Sequence, residues 1–213
     1  MDTMLDRHVG ALLQVLKELG LQEKTIVFFC SDNGAARRFE RVHNSCGPMR
    51  GFKRSMYEGG IRVPMIARWP GKIRPGTVSN LPWYFPDVMP TLAELARETK
   101  HVPGGIDGIS IVPTLLGEQA TGRKQKEHEY LFWEHRGIWA ARKGNWKAVL
   151  HPRKKNRKRQ LELYDLSKDI GEKDDLAGKY PKIAAQMEAI IKQAYTEPRP
   201  QHEPERIAGK KYR

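Results

Sequence analysis

The chain has 213 residues, and its 38 Lys and Arg outweigh 25 Asp and Glu to give a formal charge of +13. That length can bury a sizeable core, and no apolar run approaches the roughly 20 residues needed to cross a bilayer, so neither a peptide nor a membrane-spanning protein is expected. Two cysteines, Cys30 and Cys46, are too few for a disulfide framework, and neither has a Cys or His neighbour at zinc-site spacing.

The first ten residues lack a basic stretch followed by an apolar one, so they hold no visible secretory signal. Leu5, Val9, Leu12, Leu13, Leu16 and Leu19 recur at helical spacing from Thr3 to Leu19, and Gly20 supplies a stop. Thr25 to Cys30 is a short apolar run of the kind buried on both faces of a parallel sheet, and it ends in Ser31-Asp32-Asn33-Gly34. Helix, short connection and buried strand predict an α/β layout. The polar stretch from Ala35 to Gly60 is too long for an idle connection and reads as a functional loop. Strand character returns from Ile61 to Trp69, and Asp87 is placed to cap a helix through Val88, Leu92, Leu95 and Ala96.

Composition shifts again between Gly117 and Lys126. Beyond it, short β-rich runs at Tyr130–Trp133, Trp139–Arg142, Trp146–Leu150 and Leu161–Leu166 predict antiparallel strands, and Pro181 to Tyr195 a closing helix. Part of the positive charge sits in Arg153-Lys154-Lys155-Asn156-Arg157-Lys158-Arg159. That run has no interleaved aromatics, so it reads as a solvated hairpin tip with a weak attraction to polyanions rather than as a nucleic-acid surface.

Chemistry is concentrated at Ser31-Asp32-Asn33-Gly34, because open α/β sheets place ligands outside the carboxyl ends of their strands. Asp32 offers a carboxylate and Asn33 a carbonyl oxygen, donors suited to a hard divalent cation. On the tetrapeptide alone, an Asx-turn closed by Gly34 is the simpler reading. Its company changes that. Lys53 follows Asn33 by 20 residues within Arg50-Gly51-Phe52-Lys53, and Tyr57-Glu58-Gly59-Gly60-Ile61-Arg62-Val63-Pro64 follows in turn.

With Arg68-Trp69-Pro70-Gly71, Asp87…Pro90-Thr91, Asp107-Gly108-Ile109-Ser110, Trp146-Lys147 and Leu163-Tyr164-Asp165-Leu166, these blocks closely resemble the sulfatase family of the alkaline-phosphatase-like superfamily. The resemblance covers nearly the whole chain. It implies hydrolysis of sulfate monoesters, aryl sulfates or sulfated glycans, by an enzyme using a divalent metal, usually Ca²⁺, and a formylglycine nucleophile. It makes Asp32 and Asn33 metal ligands and Lys53 the catalytic lysine that binds a sulfate oxygen, where a compact ammonium would offset developing charge. Two departures stand out. Ala36 occupies a place where many relatives have histidine, with His43 read as a satisfied loop histidine in preference to a substitute, and Asp169-Ile170 replaces an Asp-Pro turn.

Cys46-Gly47-Pro48-Met49-Arg50 spells the minimal C-x-P-x-R pattern in which the family's cysteine becomes formylglycine. In that family the element precedes the Ser-Asp-Asn-Gly turn, whereas Cys46 follows it, and the Pro and Arg match a Gly-Pro-Leu-Arg-Gly found in relatives. Cys46 is therefore expected to be an unmodified loop thiol. The resemblance is then to the C-terminal part of a sulfatase, with the aspartate pair and the formylglycine element expected in an N-terminal part that would be its partner.

The expected organisation is the C-terminal part of a doubly wound α/β domain over residues 1–127, a small antiparallel-sheet-plus-helix subdomain over 128–197, and a poorly ordered tail over 198–213. Trp133 and Trp146 read as core or interface aromatics. Two alternatives are a non-catalytic anion-binding module derived from a sulfatase and a phosphoryl-transfer relative from the same superfamily. Relatives with this resemblance are often periplasmic or secreted.

Overall fold

The structure is a computed structural model that describes residues 2–152 and 160–197. The basic run 153–159 and the tail 198–213, with the expectations attached to them, lie outside the described residues.

Helix α1 spans Asp2–Glu18. It ends as Gly20 predicts. With Gly20 at φ +65°, the Leu21 N–H donates to Leu16 O at 2.8 Å and the Gly20 N–H to Lys17 O at 3.0 Å, a Schellman closure. Its apolar stripe is largely uncovered: Leu5, Leu12 and Leu19 are 51%, 68% and 65% exposed.

Strand β1 (Val27–Cys30) pairs with β2 (Met65–Arg68), but the pairing is antiparallel, from Val27 opposite Arg68 to Cys30 opposite Met65. The parallel neighbours expected for a strand buried on both faces are not found among the described residues. This strand is accordingly half-buried, with Cys30 exposed.

The long polar segment between these strands holds α2 (Arg37–His43) and a single turn, α3 (Glu58–Ile61). A 3₁₀ turn at Phe85–Asp87 runs into α4 (Val88–Leu95), followed by α5 (Val112–Leu116) and α6 (Glu118–Thr121). Asp87 does not cap α4 through its side chain. Its fully buried carboxylate instead accepts the Tyr84 N–H at 3.0 Å and the Ile109 N–H at 2.8 Å, and lies 2.8 and 3.0 Å from His128 Nε2. A residue expected to cap the start of one helix thus ties three segments together.

Strands β3 (Leu131–His135), β4 (Ile138–Lys143), β5 (Trp146–Leu150) and β6 (Leu161–Asp165) form an antiparallel sheet in sequence order, as their spacing predicts. Alternation along a strand sends neighbours to opposite faces. Ala148, Leu150 and Leu163 face helix α7 (Pro181–Ala194), meeting Met187, Ile190 and Ile191 in one apolar cluster. Val149 and Tyr164 belong to the other face, where they pack with Ala140 and with Met56 from the segment leading into α3. Trp146 borders the first cluster and Trp133 the second, as expected of core and interface aromatics.

Candidate functional site

At the end of β1 the Ser31 hydroxyl donates to Asn33 O at 2.8 Å, which fixes the turn. Asp32 is exposed and Asn33 half-buried. The Gly34 N–H donates to Gly60 O at 3.0 Å, and the two backbones lie so close that a Cβ on Gly34 would collide with Gly59 O. A glycine is required here by close approach. One residue further, Ala35 O accepts the Lys53 N–H at 2.9 Å, so the segment carrying Lys53 runs beside the one carrying Asp32 and Asn33. Lys53 is itself exposed, and the next residue, Arg54, has φ +78°, an uncommon conformation for a residue with a side chain. Strain of that kind gathers at functional sites.

The two glycines of Glu58-Gly59-Gly60 shape the backbone. A Cβ on Gly59 would lie 2.6 Å from both Arg50 O and Gly51 O, and one on Gly60 would collide with Ser55 O. Glu58 does more than that. Its side chain is sealed from solvent, with Oε1 accepting from Lys147 Nζ at 2.9 Å and Oε2 3.6 Å from Arg62 Nη1. Its backbone N–H donates to Glu172 Oε2 at 2.6 Å. Lys147 Nζ also lies 2.9 Å from Glu172 Oε1, so one ammonium stands between the two carboxylates. Burial pushes the Glu172 carboxyl above its usual range, against the opposing pull of Lys147.

Beside this triad is a second polar group. The Arg50 guanidinium lies 3.9 Å from the centre of the Tyr57 ring and donates to Tyr164 Oη at 2.9 Å and Glu172 O at 2.8 Å. Tyr57 and Tyr164 hydroxyls both donate to Glu162 Oε2 at 2.7 Å. Burial and these bonds raise both phenols, while the same two bonds, with His151, outweigh the effect of burial on Glu162 and hold its carboxyl below its usual range.

Cys46 is a free, buried thiol whose Sγ donates to Gly59 O at 3.3 Å. His43 ends α2 exposed to solvent and stacks on Phe39 with ring centres 6.5 Å apart. Among the described residues no three His, Cys, Asp or Glu side chains gather as a metal cluster. Asp32 and Asn33 fit a hard cation in kind, but they are two oxygen donors where Ca²⁺ takes about six to eight.

Residues 50–197 match the family described as N-sulphoglucosamine sulphohydrolase, C-terminal. The chain belongs to the sulfatase family. It is 42% identical to a Mus musculus steryl-sulfatase over 135 residues, covering 60% of this chain and 21% of that one. It is 31% identical to an N-acetylgalactosamine-6-O-sulfatase of Bacteroides thetaiotaomicron over 212 residues, covering 90% and 40%. Among solved structures it resembles, with TM-score 0.72 and 29% identity, a sulfatase from work on the metabolism of multiple glycosaminoglycans by Bacteroides thetaiotaomicron, covering 89% of this chain and 42% of that one. The chain thus spans less than half the length of these sulfatases.

The family match contains Lys53, Glu58, Lys147 and Glu172; Asp32 and Asn33 precede it. Sequence reasoning brought Asp32, Asn33 and Lys53 into one site, but it treated Lys147 as part of a block and passed over Glu172. A signal was available. In Trp146-Lys147-Ala148-Val149-Leu150 the alternate position Val149 is as apolar as Ala148, so the sheet had to be covered on both faces and Lys147 could not be solvated.

Proposed function

We propose that this chain is the C-terminal part of a sulfatase hydrolysing sulfate monoesters, aryl sulfates or sulfated glycans, with residues 1–127 completing a doubly wound catalytic domain and 128–197 forming a subdomain beside it. The observation that carries the site is the Lys53 N–H bond to Ala35 O, which holds the lysine segment against the Asp32–Asn33 turn. Asp32 and Asn33 would hold a divalent cation, by family likeness Ca²⁺, through a carboxylate and an amide oxygen. Lys53 binds a sulfate oxygen and neutralises charge as the S–O bond breaks. A bound cation would supply charge neutralisation, and a formylglycine in an N-terminal part would supply the nucleophile. The likeness to an N-acetylgalactosamine-6-O-sulfatase and to a sulfatase from work on glycosaminoglycan metabolism supports a sulfated glycan as substrate.

These 213 residues alone are expected to show no turnover of an aryl sulfate at any metal concentration. Hydrolysis that disappears in Cys46→Ala would instead make Cys46 the nucleophile. Co-expression with an upstream segment carrying C-x-P-S-R should restore turnover, and Lys53→Ala should then lower kcat by about 10²–10³. Restored activity untouched by Lys53→Ala would remove the lysine from the mechanism.

A further inference from the structure

We propose that Lys147 is a positioning residue: through Glu58 it fixes the turn from which both the Asp32–Asn33 loop and the Lys53 loop hang. The inference rests on reading those three residues as the site. Lys147 lies on β5 opposite Tyr164, on the sheet face turned toward α3, and its side chain is fully buried. It meets Glu58 at 2.9 Å, while Glu172, from beyond β6, takes the Glu58 N–H. Both ends of Glu58 are therefore held by the C-terminal sheet and the loop after it.

From Glu58 the contacts run outward without slack. The Gly59 N–H donates to Arg50 O at 2.7 Å, and the Arg50 side chain returns to Tyr164 and Glu172. Gly60 O accepts the Gly34 N–H, next to Asn33, and Ala35 O accepts the Lys53 N–H. The missing Cβ atoms of Gly34, Gly59 and Gly60 mark places where backbone meets backbone, so a displacement of Glu58 has nowhere to be absorbed. Glu172 itself sits at φ +50°, a left-handed conformation kept by a residue with a side chain in full burial. Two carboxylates around one ammonium are a costly filling, and apolar side chains of the same volume are often as stable. What the charges add is direction, because an ion pair fixes an atom to an atom where apolar packing fixes only a volume.

The test is amide hydrogen exchange on the 213-residue chain carrying Lys147→Met, which keeps the side-chain volume. Exchange at Gly34, Lys53 and Gly59 should accelerate by about tenfold or more beyond the acceleration that the loss of global stability gives the β3 and β4 amides. Glu172→Gln, with one acceptor oxygen where the carboxylate has two, is a second and gentler variant, and should accelerate Glu58 and Gly34 in the same pattern. Restoring charge balance with Glu58→Gln on the Lys147→Met background should recover overall stability but leave Gly34 and Lys53 fast. Recovery of both together, or acceleration spread evenly over the sheet, would reduce Lys147 to a core residue and overturn the proposal. Mn²⁺ broadening at Asp32 and Asn33, followed in parallel in the unaltered chain, separates the two readings: its absence would count against the metal assignment and leave the exchange result to decide the role of Lys147.

Discussion

Lys147 Nζ lies 2.9 Å from Glu58 Oε1 across the junction between the four-stranded sheet and the segment that carries the candidate site, with both side chains sealed from water. A buried ion pair broken on one side leaves an uncompensated charge, and here two glutamates would be left behind. Lys147→Met should therefore cost about 3–5 kcal/mol, read as a lower urea midpoint with an unchanged slope. A loss below about 1 kcal/mol would mean that water reaches the glutamates.

Glycine substitutions should divide by what a Cβ would meet. Gly34→Ala drives a methyl into Gly59 O and should destabilise by roughly 1–3 kcal/mol or more. Gly10→Ala, inside α1 with nothing within 4 Å, should stabilise by about 0.5–1 kcal/mol. Equal effects at the two positions, measured by urea unfolding, would contradict the close approach of Gly34 to α3.

Two glutamates, the half-buried Glu162 and the buried Glu172, should give opposite pH slopes. Glu162, held low, favours the folded chain above the usual glutamate range, and that contribution is lost as pH falls through its folded value. Glu172, held high, favours the folded chain below that range, and its contribution is lost as pH rises through its folded value. Comparing unfolding free energies across pH, Glu162→Gln should flatten the acid side of the curve, and Glu172→Gln should flatten the decline above it. The reverse assignment of slopes would reject this account of the two carboxylates.

Much of the fold was legible because it rests on local pattern. The α1 period with Gly20, and the four β-rich runs between turns, specify elements whose partners lie next in sequence. The antiparallel pairing of β1 with β2 was not legible, since an apolar four-residue strand looks the same in a parallel or an antiparallel setting. Asp87 reads as a cap from its neighbours alone; its partners Ile109 and His128 lie 22 and 41 residues away. At the site, the family resemblance of the blocks around Asn33 and Lys53 carried the assignment. The Glu58, Lys147 and Glu172 triad did not appear, because its members are joined only by sheet packing.

The exposed stripe of α1, with Leu5, Leu12 and Leu19, and the exposed Ile66 on β2 present apolar surface without cover. The chain is expected to self-associate, with an apparent mass in sedimentation velocity that rises with concentration. A sharp monomer across the accessible range would show that this surface needs no cover.

The central claim is that Asp32, Asn33 and Lys53 form one site, and paramagnetic broadening by Mn²⁺ tests it most directly because it registers a weakly held oxygen-liganded cation. The amides of Asp32, Asn33 and Lys53 should broaden first and together, and Asp32→Ala should abolish the effect while leaving stability within about 0.5 kcal/mol, as fits an exposed side chain. Broadening that begins elsewhere, that spares Lys53, or that survives Asp32→Ala would contradict the site.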